Sequence, residues 1–313
     1  MLKKSDRILV TGGTGLIGTN LVDKLLSNGY EVKSLSSKND LRDFEVTQNI
    51  FKDFKPTIVY HLAAKVGGIY ANSSYKPAFY SDNVLINTNV VNSSIKNNVK
   101  YLFAMGTGCA YPKRLENGLL KEEDFLDGIP EVTNDAYAYA KRGLLVHLNS
   151  LKEADLINFV YCLPANIYGP HDNFHPKNSH VVPGLIRRFC DAVKNNDKEI
   201  NIWGDGSARR DFLYIKDCID AMIKLTENKL FGPVNVSSGV LTSIKELAFS
   251  LKDITGFEGE IKFDINMPAG QMQRFYDRTK MKSIGWEYNY DLKKGLTETV
   301  EWFGRNPELI RER

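Results

Sequence analysis

Seven residues near the N-terminus, Gly12-Gly13-Thr14-Gly15-Leu16-Ile17-Gly18, constrain this chain more than any others. They follow Arg7-Ile8-Leu9-Val10-Thr11, a short apolar and β-branched run that reads as a strand. Ile17, Leu21 and Leu25 then recur every four residues up to Asn28-Gly29, the pattern of a helix with a stop. Strand, glycine turn and helix in that order are the setting a dinucleotide fingerprint needs. Gly12 permits the tight turn, Gly15 lets backbone approach a pyrophosphate, and Gly18 lets the helix pack on the strand. The free N–H groups and positive dipole of the helix N-terminus favour the phosphates.

The residues after the second strand, Glu31-Val32-Lys33-Ser34-Leu35, bear on which dinucleotide binds. An acidic side chain there clasps the ribose 2′-hydroxyl and selects NAD. This chain has Ser36-Ser37-Lys38, donors and a cation suited to the 2′-phosphate of NADP, with Asp40 a rival candidate for the ribose. A third strand within Pro56–Ala64 ends in Leu62, Ala63 and Ala64, small enough at its tip for a cofactor to pass. A helical stretch from Tyr80 to about Ile95, a fourth strand at Tyr101–Met105 and another at Asn158–Leu163 complete the alternation. Strand and helix alternating over residues 1–165 imply an α/β fold, a doubly wound parallel sheet of Rossmann type with right-handed crossovers.

Composition excludes several classes. A formal net charge of +3 with no Lys/Arg-rich block argues against a nucleic-acid partner. No apolar run approaches the ~20 residues that span a bilayer, and Met1-Leu2-Lys3-Lys4-Ser5 has no apolar signal core, so a cytoplasmic location is expected. Cys109, Cys162, Cys190 and Cys218 show no Cys-x-x-Cys spacing and read as reduced thiols. His171, His175 and His180 fit no metal-ligand template, and no metal is expected.

Tyr137 and Lys141 are four residues apart and share one face of a helix. An adjacent ammonium favours the phenolate, which lets tyrosine act as an acid or base near neutral pH. Such a pair also arises by chance, and the glycine turn upstream gives it meaning. Thr107, just after the fourth strand, is placed for a hydroxyl beside the reacting centre, because ligands bind beyond the carboxyl ends of parallel strands. Cys109, His61 and His147 read by themselves as packing residues, and Trp203 as a core or interface aromatic. After Pro164 the texture changes to a polar, histidine-bearing loop, then a helix from Val182 to about Lys194.

With these motifs in place, the chain resembles an extended short-chain dehydrogenase/reductase, and within that group the GDP-L-fucose synthase family, over almost its full length. The resemblance rests on Ala64-Lys65-Val66-Gly67-Gly68-Ile69, Cys109-Ala110-Tyr111-Pro112-Lys113, Tyr137 with Lys141, and Tyr168-Gly169-Pro170-His171-Asp172-Asn173-Phe174-His175-Pro176 through Asn178-Ser179-His180 to Arg188. It implies NADPH as cofactor, a GDP-linked 4-keto sugar as substrate and a homodimer. It also implies an NADP-binding domain over 1–165 with returning segments around 208–238, and an interleaved sugar-binding part over 166–207 and 239–313. By the same resemblance Tyr137 gives a proton to the C4 oxyanion, Lys141 tunes the tyrosine and holds the nicotinamide ribose, and Thr107 stands for the family's serine. Cys109 and His180 match its base and acid for epimerisation at C3 and C5. The implied cofactor set is Gly12, Gly15, Leu16, Ile17, Ser36, Ser37, Lys38, Asp40, Leu41, Leu62, Ala63, Ala64, Lys141, Pro164, Asn166, Ile167 and His180. The implied substrate set is Asn166, Arg188, Trp203, Arg210 and Gly270, whereas Arg187 and Arg209 read as solvated.

Three departures bear on the product. Thr107-Gly108-Cys109 replaces the family's Ser-x-Cys, and Ala269 replaces a common acidic residue. They leave open reduction of C4 alone, on a related hexose or heptose. A 4,6-dehydratase or 4-epimerase is a further alternative, but dehydration needs carboxylates after the active-site hydroxyl, where Gly108 and Cys109 stand. A silent dinucleotide sensor typically loses the tyrosine or lysine, and both are here.

Overall fold

The computed structural model describes residues 2–115, 117–176, 178–266 and 273–311. Its centre is a six-stranded, wholly parallel sheet of β1 (Arg7–Thr11), β2 (Glu31–Ser34), β3 (Ile58–His61), β4 (Tyr101–Met105), β6 (Phe159–Pro164) and β10 (Gly232–Val236), in the order β10-β6-β4-β3-β1-β2. Every residue of β3, β4 and β6 is buried, as expected of strands covered on both faces, and this is why they read as unbroken apolar runs. The covering helices include α1 (Leu16–Ser27), α2 (Phe44–Phe54), α4 (Lys76–Lys96), α5 (Asp135–Glu153) and α7 (Ile215–Asn228), with the short α3 (Ile69–Ser74) before α4. From β1 the chain runs one way to β2 and the other way to β3, so the crevice between β1 and β3 is the switch point where ligands bind.

One boundary differs from the sequence expectation for a physical reason. The helix expected from Tyr80 begins at Lys76, because Pro77 in its first turn suits a position whose N–H needs no partner. Helix α2 carries no fingerprint of its own, but Asp43 caps it by accepting from the Val46 N–H at 3.1 Å.

Beyond β6 the chain builds smaller sheets around the carboxyl edge of the large one. β7 (Asn166–Tyr168), β9 (Arg209–Tyr214) and β11 (Leu241–Ser243) form one, with β9 in the middle. Within the segment around 208–238, β10 joins the large sheet and α7 packs on α1, while β9 stays outside. β8 (Glu199–Trp203) pairs with β12 (Glu260–Asp264) under α6 (Val181–Asn195) and α8 (Ile244–Thr255), and α9 (Thr279–Ser283) and α10 (Leu292–Arg305) follow. A last pairing, β13 (Phe275–Tyr276) on β5 (Leu119–Leu120), brings a late segment of the chain back over the end of β4. Among the described residues no helix is long and apolar enough to cross a membrane.

Candidate active site

The glycine turn forms a cradle at the switch point. Gly12 has φ +67°, and a Cβ there would lie 2.9 Å from the Ala63 backbone, so the turn nests against the end of β3. A Cβ on Gly15 would meet only the Gly12 carbonyl, at 3.2 Å, which leaves the outer side of the turn open for a pyrophosphate. Leu16 and Ile17 open α1 behind Gly15. Thr11 ties the pieces together: its hydroxyl accepts from the Leu62 and Ala63 N–H groups, both at 3.1 Å, and bonds His61 Nδ1 at 2.9 Å. These features fit a dinucleotide.

At the end of β2, Ser37 and Lys38 are exposed and Leu41 is buried. Asp40 is committed elsewhere: the Arg42 guanidinium donates to both its oxygens, at 2.9 and 2.8 Å, and holds the carboxyl down at about 2. A ribose would have to share that carboxylate with Arg42. Arg42 itself, which reaches Asp82 at 3.6 Å, adds a second cation to this rim that the sequence reading missed.

Tyr137 lies in the first turn of α5 and Lys141 one turn later, facing the carboxyl end of β4. Lys141 is 1% exposed, and its ammonium donates to the Met105 carbonyl at 2.7 Å, two residues before Thr107. Burial pushes it down to about 8. Its nitrogen stands 5.9 Å from the centre of the Tyr137 ring. The expected lowering of the phenol by this ammonium is not what the geometry gives. Burial raises Tyr137, and the nearby Cys109 raises it further, so Tyr137 is a neutral phenol across the physiological range. Thr107 accepts from the Cys109 N–H at 3.2 Å and opens a one-turn helix over Gly108–Ala110 that leaves the Cys109 thiol exposed. Thr107, Cys109, Tyr137 and Lys141 thus meet at one strand end.

Several residues that hold this arrangement carried no sequence signal. Arg142, buried beside Lys141, donates to the carbonyls of Ala110, Gly128 and Asp127 at 2.9, 2.6 and 3.4 Å, tying the end of the Gly108–Ala110 turn and the loop at 127–128 to α5. His61 bridges Thr11 and Asn87, and Asn87 donates to the Ala140 carbonyl at 3.3 Å, so a buried polar chain links the glycine cradle to α5. Burial drives His61 down to about 3, which keeps it neutral and structural, as expected for it.

The remaining expected residues divide between two places. Pro164 ends β6, and Asn166 and Ile167 open β7, with Asn166 donating to the Asp211 carbonyl at 3.0 Å. His180 caps α6, and the carbonyls of Asn178 and Ser179 just before it face Gly68, at the far side of the cofactor crevice. Arg188 and Trp203 line a cavity of about 400 Å³ with Arg187, Asn201 and Pro176. Arg188 donates to the Asn201 carbonyl, and Trp203 is 60% exposed, a free aromatic face and not a core residue. Arg187 pairs with Asp191 at 3.2 Å and Arg209 lies 3.8 Å from Glu246. Arg210 lies on β9, close enough to Tyr276 to influence it. Ala269 and Gly270 lie outside the described residues. Arg274, missed by the sequence reading, is 9% exposed and donates to the Gly108 carbonyl at 2.6 Å, while its Nε and Nη2 have no partner among the described residues. Two buried, unpaired guanidinium donors are costly unless an anion meets them.

Asp172, in the histidine-bearing loop, is 3% exposed, and burial pushes its carboxyl up to about 7. Unfolded, it titrates near ~3.9. Between those values the folded protein holds a proton that the unfolded chain has released, so stability falls as pH rises from about 4 to about 7. Asp172→Asn is therefore expected to flatten that slope and to raise stability at pH 8 by about 2–4 kcal/mol in urea unfolding. An unchanged pH profile would exclude this role.

Comparison with known proteins identifies the family. The NAD dependent epimerase/dehydratase family profile matches residues 8–237. The chain is 40% identical over 309 residues to a putative GDP-L-fucose synthase 2 of Arabidopsis thaliana, covering 98% of this chain and 94% of that protein. Among solved structures it resembles a GDP-L-fucose synthetase from Naegleria fowleri bound to NADP (TM-score 0.89, 31% identity, 100% of this chain and 98% of that one). It also resembles a GDP-mannoheptose C4 reductase from Campylobacter jejuni with NADP bound (TM-score 0.87, 30% identity, 97% and 100%). The chain belongs to the NAD dependent epimerase/dehydratase family, in the branch that contains the GDP-L-fucose synthases.

Proposed function

We propose that the protein is an NADPH-dependent oxidoreductase that reduces the C4 keto group of a GDP-linked 4-keto sugar, with epimerisation at C3 and C5 before reduction. The observation that carries this reading is the convergence of Tyr137, Lys141 and Thr107 at the end of β4, beside a glycine cradle that fits a dinucleotide. NADP in two structural relatives, and the GDP sugars in their names, support the cofactor and the substrate class. Bound in the cradle, NADPH supplies the hydride. Tyr137, kept neutral by burial, gives its proton to the C4 oxygen as negative charge develops there, and the Thr107 hydroxyl adds a second hydrogen bond. Lys141 stabilises the resulting phenolate and holds the nicotinamide ribose. A proton α to the ketone is acidic enough for Cys109 to remove as thiolate, and His180 returns one from the other face. Arg188, Arg210 and Arg274 hold the pyrophosphate, Trp203 offers a face to the guanine, and Asn166 meets the sugar.

The second reading, C4 reduction alone, is favoured by Gly108 in the catalytic turn and by likeness to a heptose C4 reductase. Turnover of GDP-4-keto sugars in D₂O separates the two. Deuterium at C3 and C5 is expected from wild type and is expected to vanish in Cys109→Ser, with C4 still reduced. Reduction without any deuterium at those carbons in wild type leaves the reductase alone, and absence of NADPH oxidation with every such sugar sinks both.

The assembly we propose is a homodimer through the outer faces of α4 and α5. These expose Tyr80, Leu85, Tyr139 and Val146, apolar area that a partner copy would cover. We propose a cytoplasmic location as well, which the nucleotide-sugar substrate of this reading supports.

A further inference from the structure

Gly108 is glycine because of Tyr276. Its backbone is not in the left-handed region, so the chain path does not demand glycine there. Its missing side chain does matter: a Cβ would lie 2.0 Å from the Tyr276 hydroxyl oxygen and 2.9 Å from the ring carbon bearing it. Neither contact is possible, so no larger residue at 108 coexists with Tyr276 where it stands.

Tyr276 is held there from three directions. β13 is in register with β5, Tyr276 opposite Leu120. The ring meets Tyr111 edge-on at 6.3 Å between centres. Two residues earlier, Arg274 grips the Gly108 carbonyl. The hydroxyl is thereby placed at the middle residue of the catalytic turn, with Cys109, Arg274, Asp211 and Arg210 as electrostatic neighbours. Tyr276 is only 9% exposed, and among the described residues no group hydrogen-bonds its hydroxyl. A phenol oxygen can both donate and accept, so this hydroxyl can meet a sugar hydroxyl in either sense. Burial also pushes Tyr276 above the ordinary phenol range, so it meets a ligand as a neutral group.

We propose that Tyr276 is a specificity-determining residue of the keto-sugar site: its hydroxyl stands in the room that Gly108 leaves open between Thr107 and Cys109, and there bonds a ring hydroxyl of the sugar beside the carbon that Cys109 addresses. No proton is transferred; the bond selects which sugar sits in register with Tyr137. This role rests on the keto-sugar reading, and the Thr107-Gly108-Cys109 departure then becomes one half of a matched pair whose other half lies 168 residues further on.

The test is steady-state reduction of a GDP-4-keto-6-deoxyhexose and of a GDP-4-keto heptose by wild type and variants. Tyr276→Phe removes one neutral hydrogen bond and is expected to raise KM for the preferred sugar about 3- to 10-fold. KM for NADPH and the Tm should be unchanged, and discrimination between the two sugars should shrink by the same factor. Gly108→Ala should displace the phenol and lower the Tm. Adding Tyr276→Leu should restore the Tm but not the sugar KM. Sugar KM values at wild-type level in Tyr276→Phe overturn the proposal, as does an equal rise in KM for NADPH. A wild-type protein that reduces neither sugar overturns the keto-sugar reading itself, and the role of Tyr276 with it.

Discussion

Tyr137→Phe is expected to lower kcat for NADPH oxidation with a GDP-4-keto sugar by about 10³-fold, while NADPH affinity stays within about twofold of wild type. The substitution deletes one oxygen and keeps the ring, which packs edge-on against Phe79 at 6.5 Å between centres, so α5 has no reason to move. The loss is the general acid itself. A positioned proton donor contributes about 10²–10⁴-fold, and Thr107 can hydrogen-bond the oxyanion without supplying its proton at comparable cost. The pH profile carries a second signature. Tyr137 is raised by burial and stays protonated through neutrality, so it sets no limit there. Lys141, depressed to about 8, is charged below that value and neutral above it. Stabilisation of the phenolate needs the charge, so kcat is expected to fall as pH rises through about 8. Stopped-flow loss of NADPH absorbance checks both statements. Near-normal turnover in Tyr137→Phe would remove this residue from the mechanism.

Gly18→Val is expected to weaken NADPH binding by about 100-fold or more, equivalent to about 2.7 kcal/mol. A Cβ at Gly18 would lie 2.2 Å from the Gly12 carbonyl oxygen and 2.6 Å from the Gly13 Cα. Both are backbone atoms of the cradle, so no side chain can swing aside, and either the turn opens or α1 lifts away from it. Gly13 is further tied to β2 by its N–H donating to the Leu35 carbonyl at 2.7 Å, which transmits the distortion to the rim carrying Ser36–Lys38. Fluorescence titration with NADPH measures the effect. A dissociation constant within about threefold of wild type would mean that the turn is not the pyrophosphate site.

These two sites were legible from sequence for the same reason: each is a short-range pattern. Three glycines at fixed spacing between an apolar strand and a periodic helix leave few alternatives, because only that backbone accommodates them. Tyr137 and Lys141 are four residues apart on one helix, so their shared face follows from helical geometry. What was not legible depends on contacts between distant segments. Arg142 sits beside Lys141 in sequence yet looks like any helical arginine until Ala110, Asp127 and Gly128 are seen to surround it. Asn87 resembles the other asparagines of α4, and only the approach of His61 and α5 distinguishes it. Trp203, undecided between core and surface from sequence, is decided by β8 lying at the open rim of a small two-stranded sheet.

The amino-acid pattern alone was enough for the doubly wound fold, the dinucleotide cradle and the tyrosine–lysine pair, since hydrophobic period and glycine placement act locally. Three matters were decided only by the structure, two of them by contacts between distant segments. Tyr137 stands above the ordinary phenol range, because its burial raises it, while the Lys141 ammonium donates to the Met105 carbonyl. Asp40 is engaged by Arg42, because a guanidinium fork two residues away closes on both its oxygens. Gly108, in sequence only part of a departure from the family's Ser-x-Cys, has the space of its missing side chain filled by Tyr276 and its carbonyl held by Arg274. Close packing between segments more than 160 residues apart has no periodic trace in the sequence, and it is there that Gly108, Arg274 and Tyr276 meet.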